Sequence, residues 1–152
     1  MPSFTLDQIQ SVAVDLARLL AGRLYAIRGT ASLVLQSLAM GVTDIDILCD
    51  AATVNFLIPD IQFTESPKFK SFFGQLSGFA IPVEIMGNWY IKSPKGDWAG
   101  PFSANPTQTT PITIRGTPVR VTTVEFELQC FALMGRFTEY HKIKNQLQSS
   151  LI

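Results

Sequence analysis

The sequence predicts an α/β (α+β) fold in which helices pack on a mixed, mainly antiparallel sheet. Helical spacing of apolar residues alternates along the chain with short apolar strands, and turn residues join several of these strands into hairpins. Apolar residues make up 47% of the 152 residues and charged residues 16%, which is typical of a chain that buries a substantial core. We therefore expect residues 1–152 to form one domain.

The first helix is predicted from a start signal at Thr5. Thr5 and Gln8 have the spacing of a capping box, and Phe4 can contact Ile9 as a hydrophobic staple. Apolar residues then follow helical spacing until Gly22 ends the run. We expect this helix to be structural.

A second helix is expected after a short apolar strand at residues 24–27. Gly29 and Thr30 follow the strand directly, and Thr30 is a suitable N-cap for a buried helix over about 31–39, with Gly41 beyond its end. A glycine at the turn lets the backbone approach a ligand, and free N–H groups at a helix start favour an anion.

The next strand, at residues 43–48, carries two acidic residues on one face. Because side chains alternate along a strand, Asp44 and Asp46 share one side, roughly 6–7 Å apart at Cα, and Ile45 and Ile47 take the other. Two carboxylates beside a glycine turn can hold Mg²⁺ next to a bound phosphate. Such a pair also occurs as a turn cap or at a solvated edge, so the spacing alone leaves both interpretations open.

The remaining elements are predicted from apolar runs and turn residues. In chain order they are a helical turn at 51–57, strands at 61–64 and 69–73 around Pro67, a strand at 81–86, a long loop at 87–111, a hairpin of strands 112–114 and 119–121, a helix from a capping box at Thr122 and Glu125 to about 134, and a polar helix at 139–148. A loop as long as 87–111 is usually functional or mobile.

Glu84 is a third acidic candidate, since it lies between Val83 and Ile85 in the strand at 81–86. A carboxylate among apolar neighbours is expected to pair, bind a metal or face a cleft. Aromatic and basic residues are further candidates for ligand binding, and each also has a purely structural explanation. The aromatic residues could stack on a base or cover the sheet edge, and the basic residues could neutralise phosphate or be solvated. These are Trp89, Tyr90 and Trp98, and Lys92, Lys95 and Arg115. The lone His141 is expected on the surface.

Taken together, Ile27-Arg28-Gly29-Thr30, the helix that follows, and the strand Thr43-Asp44-Ile45-Asp46-Ile47 resemble the signature of the DNA polymerase beta-like nucleotidyltransferase superfamily. The order of elements is similar to that of its small single-domain members, including those related to toxin–antitoxin systems. Glu84 lies where such proteins carry a third acid. Thr30 replaces the usual Gly or Ser, Glu84 replaces the usual Asp, and Lys144-Asn145 replaces a Lys-Asp pair of relatives.

The resemblance implies a nucleotidyltransferase fold and a two-metal reaction. Asp44 and Asp46 would hold two Mg²⁺ ions, which lie about 3.5–4 Å apart in such sites. Glu84 would ligate the catalytic ion and help to deprotonate the acceptor. Gly29 and Thr30 would bind the triphosphate of a nucleoside triphosphate, with ATP as the expected donor.

Composition limits the partners and the compartment. Lys plus Arg and Asp plus Glu both number 12, so there is no electrostatic case for a long nucleic-acid track. Cys49 and Cys130 are expected to be free buried thiols. The sequence has neither an apolar run of membrane-spanning length nor the basic start and apolar block of a signal peptide, so we expect a cytoplasmic protein without a membrane partner.

The expected function is metal-dependent transfer of a nucleotidyl group to an acceptor hydroxyl on a protein, an RNA end or a small molecule. The alternative is a catalytically inactive nucleotide-binding or toxin–antitoxin-type interaction subunit with the same fold. A homodimer or a complex with a partner protein is compatible with either function.

Overall fold

A mixed eight-stranded sheet organises residues 3–149, the part of the chain that the computed structural model describes. The strands are β1 (Tyr25–Arg28), β2 (Ile45–Cys49), β3 (Phe63–Glu65), β4 (Phe69–Leu76), β5 (Val83–Lys92), β6 (Trp98–Phe102), β7 (Thr109–Ile114) and β8 (Thr117–Thr122). The helices are α1 (Leu6–Leu19), α2 (Gly29–Leu35), α3 (Ala51–Leu57), α4 (Val124–Met134) and α5 (Phe137–Ser149), and a 3-10 turn covers Pro106–Gln108.

The strand order is β3-β4-β5-β2-β1-β8-β7, and β6 also pairs with β5. The β1–β8 and β2–β5 pairs are parallel, whereas the other pairs are antiparallel. The first half of β5 pairs with β2 and its second half with β6, so β5 is central to the sheet. This mixed, mainly antiparallel sheet with helices packed on it confirms the predicted fold class.

The two faces of the sheet bury different helices. On one face, Ile27, Ile47 and Ile85 pack against α1 and α3. On the other face, Ala26, Leu48 and Met86 pack against α4. Side chains alternate along a strand, so residues two positions apart share a face. Residues 28, 46 and 84, each two positions from a member of this second set, therefore also face α4. The charged site therefore lies at the border of the second core.

The predicted start of the first helix and the predicted free thiols are confirmed. Both hydrogen bonds of the capping box form between Thr5 and Gln8, and Asp50 caps α3 by accepting a hydrogen bond from the Thr53 N–H at 2.8 Å. Cys49 and Cys130 are buried free thiols. Within residues 3–149, no helix has the length and apolar character needed to cross a membrane.

The expected start and end of the second helix are wrong. Arg28, and not Thr30, is the N-cap of α2, because Gly29 takes a left-handed φ of 73° and turns the chain into the helix directly after β1. The helix ends at Leu35 instead of near residue 39, since Ser37 has a left-handed φ of 76°.

The second predicted capping box is displaced by one residue. Thr123, and not Thr122, caps α4, and its hydroxyl accepts a hydrogen bond from the Phe126 N–H at 3.1 Å. Thr122 is the last residue of β8, and its hydroxyl donates to the buried carboxylate of Glu127 at 2.7 Å. The side chain of Thr122 therefore bonds Glu127 and does not form the predicted capping box with Glu125.

The segment 87–111 is not a long loop. It holds the second half of β5, all of β6, the 3-10 turn and the start of β7. The period-two pattern is interrupted because the register with β4 shifts between Gly87 and Tyr90, next to Asn88, whose φ is 51°. The strand β6 was not predicted because it contains Gly100, and glycine is uncommon inside strands. This glycine is required because a Cβ would come within 2.6 Å of the Trp89 carbonyl oxygen.

Gly87→Ala is expected to destabilise the fold by about 1–3 kcal/mol, the usual cost of overpacking. The new Cβ would lie 2.4 Å from Val54 Cγ2 and 3.0 Å from the Asp50 carbonyl oxygen, so α3 would have to move off β5. Chemical denaturation measures the loss. Gly116→Asn, at a left-handed turn position with open space around it, is the control and should change stability much less. Equal losses in both variants would contradict the packing argument.

Candidate active site

Three carboxylates converge at one end of the β2–β5 pair. One carboxylate oxygen each from Asp44, Asp46 and Glu84 lies within 4.8 Å of the others, and all three side chains are half-buried. Within residues 3–149, this is the one group of His, Cys, Asp or Glu side chains spaced to hold a metal ion. The structure thus brings the three predicted acids together.

Strand register produces this convergence. Asp46 and Glu84 are direct partners in the parallel β2–β5 pairing, so their side chains leave the sheet on the same face. Asp44 lies in the bend that immediately precedes β2, two residues before Asp46. A carboxylate from the loop therefore joins two from adjacent strands.

A buried arginine lies next to the acids. Arg28, opposite Asp46 in the antiparallel β1–β2 pairing, donates from Nη1 to Asp46 Oδ2 at 3.3 Å and from Nη2 to Glu127 Oε1 at 3.4 Å. Its guanidinium also lies 4.2 Å from the Trp89 ring centroid. Burial opposes the charged form of Arg28, but the carboxylates of Glu127 and Asp46 raise its pKa above the ordinary value. The guanidinium therefore stays charged and links β1, β2 and α4.

Glu127 is the buried end of this ion-pair network. Its side chain is fully buried, and its second oxygen accepts the Thr122 hydroxyl hydrogen bond. The Thr122 hydroxyl is also 3.0 Å from Ser32 Oγ, and Ser32 donates to the Thr122 carbonyl at 2.8 Å. The Gln36 amide donates to the same carbonyl at 2.9 Å. These bonds hold α2 and α4 in place around β1.

The Asp46 carboxyl is destabilised in its charged form. Burial raises the pKa of Asp46 to about 7, Arg28 opposes that shift, and Asp44 and Glu84 add to it through like-charge repulsion. Its Oδ1 atom is buried and has no hydrogen-bond partner among residues 3–149. A half-buried cluster of oxygen ligands that includes one unpartnered oxygen fits a divalent cation such as Mg²⁺.

Gly29 lies directly against this cluster. A Cβ at Gly29 would come within 3.3 Å of Asp46 Oδ2, so a side chain at this position would press on the carboxylate. Thr30 is the next residue of α2 and is half-buried. The predicted roles of both residues in binding a nucleotide remain predictions.

The other sequence candidates lie in different surroundings. Trp89 is buried, where it stacks on Phe69 at 5.7 Å and contacts Arg28, so it is part of the core. Tyr90 and Trp98 both contact the ammonium of Lys70. Two of the basic candidates contact other groups: Lys92 lies 5.4 Å from the Trp98 ring, and Arg115 bonds Ser11 and Asp7 of α1. Lys95 and His141 are exposed.

A cavity of about 430 Å³ opens beside the acids, and both Asp46 and Glu84 line it. The β3–β4 hairpin forms one wall, with Phe69, Ser71 and Phe73. The turn between α4 and α5 contributes Met134 and Arg136. Its volume falls in the range of small-molecule sites.

Arg28 and Glu127 are the site residues that sequence reasoning missed. Arg28 is a charged residue that ends an otherwise apolar strand immediately before Gly29, which was an available signal. Glu127 gave no comparable signal, because an acid in the first turn of a helix is explained by the helix dipole. Only the pairing of β1 with β8, and the packing of α4 beyond it, brings Glu127 to Arg28.

Comparison with solved structures identifies the fold. A candidate nucleotidyltransferase from Thermotoga maritima has a TM-score of 0.72 and 22% sequence identity, with 97% of each chain covered. The lincosamide antibiotic adenylyltransferase LnuA, solved with lincomycin bound, has a TM-score of 0.56 and 13% identity over 93% of this chain and 98% of that one. No protein-family model and no curated protein matches the sequence.

The chain therefore has the nucleotidyltransferase fold. This confirms, at the level of the fold, the resemblance that the sequence shows. The acids at Asp44, Asp46 and Glu84 lie together within this fold.

Arg28→Met is expected to destabilise the protein by about 3–5 kcal/mol, because it leaves the fully buried Glu127 without its cation. The double variant Arg28→Met with Glu127→Gln should recover part of this loss, since the buried charge is removed as well. Chemical denaturation of both single variants and the double variant measures the coupling. Losses that simply add would contradict the ion-pair argument.

In protein stripped of metal with EDTA, stability should fall as the pH rises from about 4 to about 7. The folded pKa of Asp46 is raised from 3.8 to about 7, so its contribution is fully present below pH 3.8 and is lost as the folded carboxyl ionises. The expected loss is on the order of 2–4 kcal/mol. The free energy of unfolding of the wild type and of Asp46→Asn is measured by denaturation across this pH range, and the difference between them isolates the contribution of Asp46. Parallel pH profiles of the two proteins would contradict the prediction.

Proposed function

We propose that this protein is a metal-dependent nucleotidyltransferase that uses a nucleoside triphosphate, with ATP as the expected donor. The observation that carries the proposal is the set of three carboxylates within 4.8 Å of one another, with Gly29 against Asp46. The nucleotidyltransferase fold supports it. The alternative from the sequence is a catalytically inactive nucleotide-binding or toxin–antitoxin-type interaction subunit of the same fold; an interaction subunit has no use for the clustered charge, and the transfer assay below separates a nucleotide-binding subunit from an enzyme.

Each residue has a proposed role. Asp44 and Asp46 would hold the two Mg²⁺ ions of the proposed reaction, and Glu84 would be a ligand of the catalytic one; their carboxylate oxygens are close enough to share a metal site. Bound Mg²⁺ supplies charge neutralisation for the phosphates and lowers the pKa of the attacking hydroxyl. Gly29 allows the triphosphate to approach the backbone, and Thr30 offers a hydroxyl to it. Arg28 holds one oxygen of Asp46 and leaves Oδ1 for the metal.

The reaction is a displacement at the α-phosphorus. The acceptor hydroxyl oxygen forms a new bond to the α-phosphorus, and the bond from that phosphorus to the bridging oxygen of the β-phosphate breaks. Pyrophosphate leaves with the bonding electron pair. The hydroxyl proton passes to the Glu84 carboxylate and from there to solvent.

Addition of ATP and Mg²⁺ together is expected to raise the melting temperature by about 5–10 °C near 100 times the dissociation constant, because the ligand binds only the folded state. Asp46→Asn should abolish this shift and should lower transfer from α-labelled ATP by more than about 100-fold, or about 2.7 kcal/mol of transition-state stabilisation. Transfer is measured into separate protein, RNA and small-molecule fractions.

Asp15→Asn, at an exposed acid on α1, is the matched control and should leave both readouts unchanged. A melting shift without transfer in any fraction would favour the inactive binding subunit. Transfer that survives Asp46→Asn would refute the proposed site.

A further inference from the structure

The cavity beside Glu84 is not lined by the residues proposed to bind the triphosphate. Asp46 and Glu84 line the cavity, whereas Gly29, Thr30 and Asp44 are not among its lining residues. A ligand in the cavity therefore reaches the acids from the side of the proposed base, Glu84. That is the position required of an acceptor and not of the nucleotide.

Beside its charged residues, the cavity lining carries apolar side chains and a few hydroxyl groups. Phe73 is 41% exposed although it is a large apolar side chain, and it lies opposite Met86 in the β4–β5 pairing. Met134 contributes from the far wall, while Thr64 and Ser71 supply hydroxyl groups. Such a surface favours a flat apolar body that also carries polar groups.

The charges of the lining disfavour an anion. Arg28 is already paired with Asp46 and Glu127, and Arg136 donates to Glu139 at 2.8 Å. Lys70 also lines the cavity, but its ammonium lies over the rings of Tyr90 and Trp98.

The acids of the lining are less fully paired than the cations. Among residues 3–149, neither Glu65 nor Glu84 has an ion-pair partner, and both line the cavity. A ligand with a phosphate or carboxylate group would meet these two acids, whereas Lys70 is the one cation of the lining that has no ion pair within residues 3–149.

We propose that this cavity is the acceptor pocket and that the acceptor is a small, uncharged or cationic molecule with a hydroxyl group on a flat apolar body. This inference rests on the proposed function and names its substrate class. The acceptor oxygen bonds to the α-phosphorus, pyrophosphate leaves with the bonding electron pair, and the proton passes to Glu84. An RNA end, whose backbone is anionic, does not fit this lining.

Matched fragments test the charge preference. Each fragment has one hydroxyl group beside a phenyl, naphthyl or indolyl ring, and each ring is prepared with an ammonium, a second hydroxyl or a carboxylate as the remaining substituent. Saturation-transfer NMR with the full chain, without Mg²⁺ and without nucleotide, gives the dissociation constants, since Mg²⁺ bound at Asp46 and Glu84 would itself attract the carboxylate forms. We expect the ammonium and diol forms to bind at least fivefold more tightly than the carboxylate on the same ring.

Two variants locate the binding. Phe73→Ser should weaken the ammonium and diol forms at least fivefold, whereas Phe56→Ser, at a 45% exposed phenylalanine that does not line the cavity, should have no effect. Glu139→Gln, a change at a half-buried side chain that releases Arg136, should strengthen the carboxylate forms and remove part of the preference. Melting temperatures verify that each variant is folded.

Other results overturn the inference. These are tighter binding of the carboxylate forms, the absence of binding by all fragments, or equal binding by wild type and the folded Phe73→Ser variant. A melting shift with ATP and Mg²⁺ but no fragment binding refutes the acceptor pocket alone. Fragment binding without any effect of ATP and Mg²⁺ refutes both the nucleotidyltransferase function and the acceptor role.

Discussion

The parallel register between β2 and β5 is the constraint on which the site depends. It sets Asp46 directly opposite Glu84, and Asp44 joins them from the bend before β2. A shift of one residue would move every side chain of β2 to the opposite face and would place Ile45 or Ile47 where the acid now lies. Since those isoleucines are fully buried against α1 and α3, the core itself fixes the position of the carboxylates.

Arg28 makes this placement compatible with folding. Three acids that converge on a half-buried surface repel one another, and the pKa of Asp46 is raised first by burial and then by that repulsion. Arg28 offsets part of it, but it also holds Glu127, so its charge is shared between the site and the buried side of the network. The site is therefore only partly neutralised, which leaves a net attraction for a cation.

Local signals in the sequence predicted most of the fold. The capping box at Thr5, the helical turn at Ala51–Leu57 and the pairs β3–β4 and β7–β8 depend on neighbours in the sequence, and the structure contains all of them. The failures arose where tertiary packing overrides local preference. The bulge near Asn88 breaks the alternation of β5, and a close backbone approach requires Gly100 in β6, so both strands resembled a loop. Glu127 lies 99 residues from Arg28 along the chain, and no local pattern could connect them.

The departures from the nucleotidyltransferase signature are consistent with the site's geometry. Glu84 has one more methylene than the usual Asp, and its carboxylate still reaches within 4.8 Å of both aspartates. Thr30 lies inside α2 and is not its cap, so its hydroxyl is not needed to satisfy the helix start. A protein that used this fold only for assembly would be more stable without a half-buried acidic cluster and an unpartnered Asp46 oxygen. Such local violations of good packing are expected where a ligand completes the site, and here that ligand would be a divalent cation with its nucleotide.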